Sequence, residues 1–169
     1  DAFSNKVDCI TLFVYDDQGN HLSTHTETTS VLKEEGYRMT LVLDEGDYQL
    51  VAYGGLACDE SSFEFVDPSV TRASVYTDRQ VRMKDGENGT RLHDFFYGAA
   101  DVTVINNRYE EATLPLMKNT NNIRLVLQQA NGKSLEADDF IFRITDDNSL
   151  MNKENAVVPK GLVTYKPWT

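Results

Sequence analysis

Two cysteines, Cys9 and Cys58, are the residues of this chain that could form a disulfide or bind a metal. Their number and spacing do not match a metal-binding set. In an oxidising compartment they can pair and close a loop of about 50 residues, which stabilises a fold by about 3–4 kcal/mol. The alternative is two buried free thiols that behave as small apolar side chains. Because a sequence gives no Cα separation, both states stay open.

Three histidines, His21, His25 and His93, are the ordinary proton carriers near neutral pH. His21 and His25 lie four residues apart in a Thr-rich segment, and in a strand that spacing does not bring two rings together as a helix would. The sequence contains no zinc-peptidase, serine-hydrolase, P-loop or dinucleotide-binding motif. We therefore expect surface histidines, no catalytic residues, no cofactor and no resident metal.

An oxygen-rich loop runs from Asp146 to Asn155 and contains Asp147, Asn148, Asn152 and Glu154. Oxygen ligands of this kind can hold Ca²⁺, but the glycine that an EF-hand loop needs is missing. The alternative is a turn in which Asp and Asn side chains cap the backbone. The sequence favours the turn.

Aromatic side chains could stack on sugar rings if they lined an exposed face. Core packing is the alternative, because aromatic residues are ordinary members of strands. Tyr53 and Trp168 are kept as candidate glycan-facing residues. The wider aromatic set is Tyr53, Phe95, Phe96, Tyr97, Tyr165 and Trp168.

The charge balance excludes several classes of partner. The 169 residues carry 27 acidic and 16 basic side chains, which gives a net charge of −11. Nucleic-acid binding needs clustered Lys and Arg, and so does docking on an anionic membrane surface. No run of 18 apolar residues exists, so the sequence predicts no membrane span. Residues 1–4 do not resemble a signal peptide, so an exported form would begin after a removed leader.

The elements that must position these residues are short strands. Val7–Tyr15 is apolar on both faces, which predicts a central strand. Asp16–Asn20 reads as a turn. His21–Thr29 is polar and Thr-rich, which is typical of an exposed edge strand.

Tyr37–Gly54 predicts an antiparallel hairpin around the turn at Asp44–Asp47. Apolar residues alternate with other residues on both sides of that turn. On the first arm they are Tyr37, Met39, Leu41 and Leu43, and on the second Tyr48, Leu50 and Ala52.

The remaining segments predict further short strands separated by turns, a pattern typical of β-sandwiches. No window shows a helical period over ten residues. The expected strands are Phe63–Val66, two within Val70–Met83, Leu92–Tyr97, Val102–Ile105, Ile123–Leu127, Phe140–Ile144 and Leu162–Tyr165.

A weak internal repeat suggests two domains. The segment NIRLVLQQANGK has the layout of VDCITLFVYDDQGN, a strand followed by a Gly-containing turn. We expect a first β-sandwich over 1–112 and the start of a second over 113–169. Since about 55 residues supply fewer strands than a closed sandwich needs, the second domain is expected to be incomplete.

Six phrases, taken in order, resemble a known family. They are DAFSNKVDCITLFVYDDQG, YRMTLVLDEGDYQLVAYGGL, HDFFYG, LPLMKNTNNIRLVLQQ, FIFRITDDNSLMNKENAVV and LVTYKPW. The set is similar to the FimB-like fimbrial anchor and accessory subunits of Bacteroidetes, which are outer-membrane lipoproteins related to type V pilins. The resemblance covers nearly the whole chain.

The resemblance implies two transthyretin-like antiparallel β-sandwiches and a non-enzymatic role in fimbria assembly and cell adhesion. It implies export through the periplasm and a lipid anchor on a cysteine upstream of Asp1, at the outer membrane and cell surface. Partners would be other fimbrial subunits, bound through sheet edges or strand exchange. The family's second domain continues past Thr169. The alternative function is a carbohydrate-binding module of a surface glycan system.

Overall fold

The computed structural model describes residues 6–56, 58–66, 79–106 and 108–168. Strands and short helical turns make up their regular structure, which confirms the predicted all-β class. The strands are β1 Cys9–Asp16, β2 His21–Thr28, β3 Gly46–Gly54, β4 Phe63–Phe65, β5 Val81–Met83, β6 Phe96–Val104, β7 Met117–Lys118, β8 Ile144–Asp146, β9 Leu150–Met151 and β10 Val163–Tyr165. The helical turns are α1 Thr29–Leu32 and 3₁₀ turns at Glu87–Gly89 and Ala137–Asp139.

The main sheet has the order β2-β1-β3-β6-β7, and every neighbouring pair is antiparallel. β1 lies between β2 and β3, with Phe13 opposite Thr24 on one side and Val51 on the other. Seven of its eight residues are buried, so the prediction of a central strand is confirmed. β2 lies at the sheet's edge and has no fully buried residue, as its Thr-rich composition predicts.

Both faces of the main sheet are covered, which is why β1 and the second half of β3, from Leu50 to Gly54, are buried on both faces. One face packs Phe13, Tyr15 and Val51 against the small sheet β4-β5-β9, whose Phe63 and Met151 join the same core. The other face carries a second core cluster that is built on different strand residues. Its buried members are Val7, Ile10, Leu12, Val14, Leu32, Leu50, Ala52 and Phe96.

The turn predicted at Asp16–Asn20 is confirmed, and the side chain of Asp16 stabilises it. The Asp16 carboxylate accepts hydrogen bonds from the backbone N–H of Gln18 and Asn20 at 3.0 and 2.7 Å. The Asn20 side-chain amide donates to the same carboxylate at 2.9 Å. These bonds, the Asn20 side chain first, lower the pKa of Asp16 below its ordinary value.

The first arm of the predicted hairpin at Tyr37–Gly54 is wrong as a strand. The second arm is β3, but its partners are β1 and β6 instead of residues 37–43. Residues 37–43 are extended without belonging to any sheet. Their alternation reflects packing onto the face of the main sheet, because Met39, Leu41 and Leu43 lie against the second core cluster.

The predicted strands Ile123–Leu127 and Phe140–Ile144 are also wrong, apart from Ile144, which begins β8. Most of their side chains are exposed, so no core holds them in a sheet: Ile123 is 67% and Ile141 is 82% exposed. The predicted last strand is confirmed as β10, which pairs with β8.

Residues from beyond position 112 take part in the sheets of the first region. β7 pairs with β6 of the main sheet, and β9 pairs with β5 of the small sheet. The division at 112/113 stays a prediction. Of the two strands expected within Val70–Met83, β5 is present, and residues 70–78 lie outside the described residues.

Candidate functional site

A cavity of about 670 Å³ opens over one face of the main sheet, between two extended segments. The walls are the segments 37–43 and 108–116, of which every residue except Pro115 lines the cavity. The floor is apolar and comes from three neighbouring strands, with Leu12 from β1, Leu50 from β3 and Val102 from β6. We call this cavity the slot.

The two walls present every second side chain to the sheet. On the first wall Leu41 is half-buried, whereas its neighbour Val42 is 98% exposed. On the second wall Leu114 and Leu116 pack against the second core cluster, and Pro115 between them is exposed. Period-two alternation of this kind is strand geometry, so both walls have the backbone shape of strands in a second sheet layer.

The backbone of both walls has unused hydrogen-bonding groups. Throughout the described residues, positions 38–43 and 109–116 make no backbone–backbone hydrogen bond. A strand shape without a ladder is unusual, because backbone N–H and C=O groups are normally paired wherever a partner is in reach. The walls therefore offer two rows of donors and acceptors along an apolar floor.

A surface ion pair spans the two walls without closing the slot. Arg38 Nε lies 3.3 Å from Glu111 Oε1, and both side chains are 61% exposed. Exposed pairs of this kind contribute at most about 1 kcal/mol, so an entering segment can displace it.

Tyr37 anchors the start of the first wall. Burial, together with the neighbouring Glu27 carboxylate, raises the pKa of its hydroxyl above the ordinary value. The phenol hydrogen-bonds the Glu27 carboxylate and so holds the wall against the edge strand β2, which carries Glu27.

The slot combines an apolar floor with two extended segments that have unused backbone groups, which are the features that strand addition uses. Neighbouring strands in a sheet are about 4.8 Å apart and exchange main-chain hydrogen bonds. An added strand gains affinity from those bonds and specificity from pockets for alternate side chains. Since the floor is apolar, the matching face of the segment must be apolar too.

Cys9 and Cys58 lie away from the slot, and their sulfur atoms are joined, with the Cα atoms 5.8 Å apart. Asp8 Oδ1 is 3.5 Å from Cys58 Sγ. These three residues form the one group with metal-ligand proximity in the described ranges, but bonded sulfurs are not thiolate ligands. Whether the pair is oxidised in the exported protein stays a prediction.

The prediction that Tyr53 faces a glycan is wrong. Its side chain is only 2% exposed and lies in the core between the two sheets. The hydroxyl accepts a hydrogen bond from Arg79 Nε at 2.9 Å, and Arg79 also donates to Tyr15 and stacks over the Phe13 ring at 5.1 Å. No local pattern in the sequence indicates that a buried guanidinium occupies this aromatic cluster.

Trp168 is 48% exposed, and the Arg91 guanidinium lies 5.5 Å from the centroid of its ring. The ring is therefore accessible, and its role as a glycan-facing residue stays a prediction.

The histidines bond to near neighbours and not to one another. His21 Nε2 bonds the Thr24 hydroxyl at 2.7 Å, and His25 Nε2 bonds the Ser23 hydroxyl at 2.9 Å. His93 Nε2 lies 2.8 Å from Asp8 Oδ2.

The oxygen-rich loop caps its own backbone. Asp147 Oδ1 accepts the N–H groups of Lys160 and Gly161 at 2.8 and 2.9 Å, which lowers the pKa of that carboxyl. Asn152 Oδ1 accepts the N–H groups of Glu154 and Ala156. The turn interpretation fits this geometry, because these oxygens point at backbone donors.

None of the helices in the described ranges has the length and apolarity that a membrane crossing needs. Sequence reasoning missed the slot, although its signal was present. The alternation at 37–43 is matched by Leu114 and Leu116, and two such segments that share one sheet face leave a gap where a strand would fit.

A family model described as fimbrillin-A associated anchor proteins Mfa1 and Mfa2 matches residues 1–169. No curated protein matches the chain significantly.

Three solved structures have a similar fold over nearly the whole of this chain. A candidate adhesin of Bacteroides thetaiotaomicron VPI-5482 is 43% identical with a TM-score of 0.91, and the match covers 99% of this chain and 57% of that one. A candidate polysaccharide-binding protein of the same organism is 26% identical with a TM-score of 0.87, over 100% of this chain and 60% of that one. The fimbrial anchor protein Mfa2 of Porphyromonas gingivalis is 13% identical with a TM-score of 0.66, and the match covers 96% of this chain and 59% of that one. At this identity the likeness shows a shared fold. The chain thus spans somewhat more than half the length of these proteins.

Proposed function

The chain belongs to the family of fimbrillin-A associated anchor proteins, and from this membership we propose that it is a fimbrial anchor or accessory subunit. In this role it is a structural, non-enzymatic protein of the cell surface that supports fimbria assembly and adhesion. The family match over the whole chain is the observation that carries the proposal. The 43% identity to a candidate adhesin over 99% of the chain supports it.

The slot is the proposed docking site for a neighbouring fimbrial subunit. Its floor is apolar, its walls have unpaired backbone groups, and one exposed ion pair crosses it. An extended segment with apolar residues at every second position complements all three features. The partner contact is therefore a strand inserted between residues 37–43 and 108–116.

The edge strand β2 is the less favoured docking edge. It is Thr- and His-rich, and its exposed positions carry little apolar surface to reward a partner. Polar edges of this kind generally protect a sheet from unwanted pairing.

The segment beyond residue 112 is proposed to begin a second β-sandwich. Its apolar side chains at Ile123, Leu125 and Val126 are at least 58% exposed, which is costly for a folded protein in water. The similar structures are considerably longer than this chain and provide the further length that such a domain needs.

Attachment to the outer membrane through an N-terminal lipid, after export through the periplasm, is the finer proposal on location. It follows from the family's association with anchoring. Palmitate labelling of the full-length protein in its native cells tests it, and a protein recovered unlabelled in the soluble fraction contradicts it.

Localisation tests the proposed function most simply. Immunogold labelling of intact cells should place the protein on fimbriae or at their bases, and deletion of its gene should shorten, lengthen or detach the fimbriae. Label that is absent from fimbriae, with unchanged fimbriae in the deletion strain, overturns the proposal.

A further inference from the structure

The start of β1 is fastened to three other segments of the fold. The Thr29 hydroxyl, directly after β2, donates to the Asp8 carbonyl oxygen at 2.8 Å. The Gly55 N–H, directly after β3, donates to the Cys9 carbonyl oxygen at 3.0 Å. His93 Nε2, from the segment that precedes β6, lies 2.8 Å from Asp8 Oδ2. We call this set of contacts the N-terminal clamp.

Two further contacts belong to the N-terminal clamp. The sulfur atoms of Cys9 and Cys58 are joined, which links the first residue of β1 to the segment after β3. Val7 is 4% exposed and belongs to the second core cluster. A Cβ on Gly54, the last residue of β3, would come within 3.1 Å of Val7 Cγ1, so these two residues are in close contact.

The contacts of the N-terminal clamp act side by side. Three consecutive residues make them, and their partners lie on separate segments, after β2, after β3 and before β6. Tension on the chain before Val7 is therefore divided among these segments. β1 is also paired with β2 and β3 along its length, and ladder bonds lie perpendicular to the strands, so a pull along β1 loads them together.

The disulfide closes a loop that contains much of the proposed docking site. Between Cys9 and Cys58 lie β2, β3 and the first wall of the slot, residues 37–43. While the bond is intact, tension that enters at Cys9 passes directly to Cys58. The segment between the two cysteines is then not stretched.

We propose that the N-terminal clamp is a mechanical junction, which passes tension from the chain before Val7 into the sandwich and keeps the first wall of the slot folded under that tension. The inference rests on the proposed attachment at the N-terminus, because an anchor that holds a fimbria is pulled between that attachment and its docked neighbour. It goes beyond attachment, since it assigns mechanical strength to named residues.

Single-molecule pulling of the full chain, with peptide-tag handles at both ends, tests the junction. The unfolding rate at a fixed load is compared with the unfolding rate in urea without load, because a general loss of stability raises both rates. On complete unfolding, the oxidised wild type should lengthen by roughly 160–180 Å less than the reduced protein, because the bond spans a sequence separation of 49.

Thr29→Val replaces the bonding hydroxyl by a methyl group. It should raise the unfolding rate under load at least threefold more than it raises the rate in urea, because the lost hydrogen bond lies in the loaded junction. Thr145→Val is the matched control, since it removes one hydroxyl contact, between β8 and β10, outside the clamp. Its effects with and without load should agree.

Cys9→Ser/Cys58→Ser should raise the rate under load at least tenfold more than it raises the rate in urea. Thr29→Val keeps the test valid if this double variant does not fold. The junction is overturned by equal effects of Thr29→Val with and without load, by a wild-type rate under load for the folded double variant, or by two free thiols in protein from its native cells. These readouts do not use fimbriae, so their failure is distinct from a failure of the proposed function in the localisation test.

Discussion

The backbone of Pro115 lies directly over the Cα of Gly98, and a methyl group at Gly98 would come within 2.6 Å of Leu114 Cδ2 and closer still to the Pro115 carbonyl oxygen. Gly98 is in β6 of the main sheet, and Pro115 is in the second wall of the slot. A glycine in a strand is generally unfavourable unless another backbone approaches closely. The position of the wall therefore depends on the missing side chain at Gly98.

Gly98→Val should displace the second wall and destabilise the protein by about 1–3 kcal/mol, the usual cost of overpacking a core. Urea unfolding measures the free energy. Gly89→Ala is the control, because a Cβ there meets nothing within 4 Å. Equal stability of Gly98→Val and the wild type would show that the wall is free to move.

Leu50→Asp should destabilise the fold by more than about 4 kcal/mol, since Leu50 is 8% exposed and the new carboxylate has no partner in the core. Thermal and urea unfolding measure the change. Leu22→Asp, on the edge strand at 50% exposure, should change stability by less than about 0.5 kcal/mol. An unchanged melting temperature for Leu50→Asp contradicts the assigned facing of β3.

The Cys9–Cys58 pair is expected to be a disulfide in the exported protein. Thiol titration under denaturing, non-reducing conditions should then find no free thiol. The Cys9→Ser/Cys58→Ser double variant should lose about 3–4 kcal/mol, because the bond closes a loop with a sequence separation of 49. Two titratable thiols in protein purified from its native cells contradict the pairing.

The stability of the loop at 158–161 should depend on pH through the ionisation of Asp147. Its folded-state pKa lies below the ordinary 3.8, because the ionised form accepts two backbone N–H groups. The stabilisation is therefore complete above the unfolded-state pKa and is lost as pH falls through the lower, folded-state pKa. NMR titration should give a pKa below 3.8 for Asp147, and Asp147→Ala should speed amide exchange at Gly161. A titration at or above 3.8 contradicts the cap.

The local physics of the first strands made them predictable. β1 is apolar on both faces because two layers cover it. The turn at Asp16 was predictable because its side-chain hydrogen bonds join residues within a five-residue segment. The segment at Tyr37–Leu43 was misassigned because alternation reports which side chains face a core, whereas it does not report which backbone pairs with which.

The candidate sites were less predictable, because they join residues that are far apart in the chain. The slot joins residue 41 to residue 114, and a second cavity, beside residues 91–94, joins residue 6 to residue 91. The prediction that Tyr53 is exposed was wrong because Arg79, 26 positions later in the chain, lies beside its hydroxyl in the core. A single sequence can show alternation within each segment, as at 37–43, but it does not show which distant segments lie side by side.

The most direct test of the proposed function compares a variant in the first wall of the slot with a variant outside it. Leu41 packs against the apolar floor, whereas Leu22 lies on the edge strand β2, is 50% exposed and does not line the slot. Each residue is replaced by Asp in the full-length protein, expressed in its native cells, and the amount that co-purifies with sheared fimbriae is measured. Melting temperatures of the purified variants confirm that both fold.

Leu41→Asp is expected to lower co-purification at least tenfold, because a charge in the wall that faces the apolar floor opposes an apolar strand, while Leu22→Asp matches the wild type. Wild-type co-purification by folded Leu41→Asp, or equal losses for both variants, would contradict strand insertion at the slot.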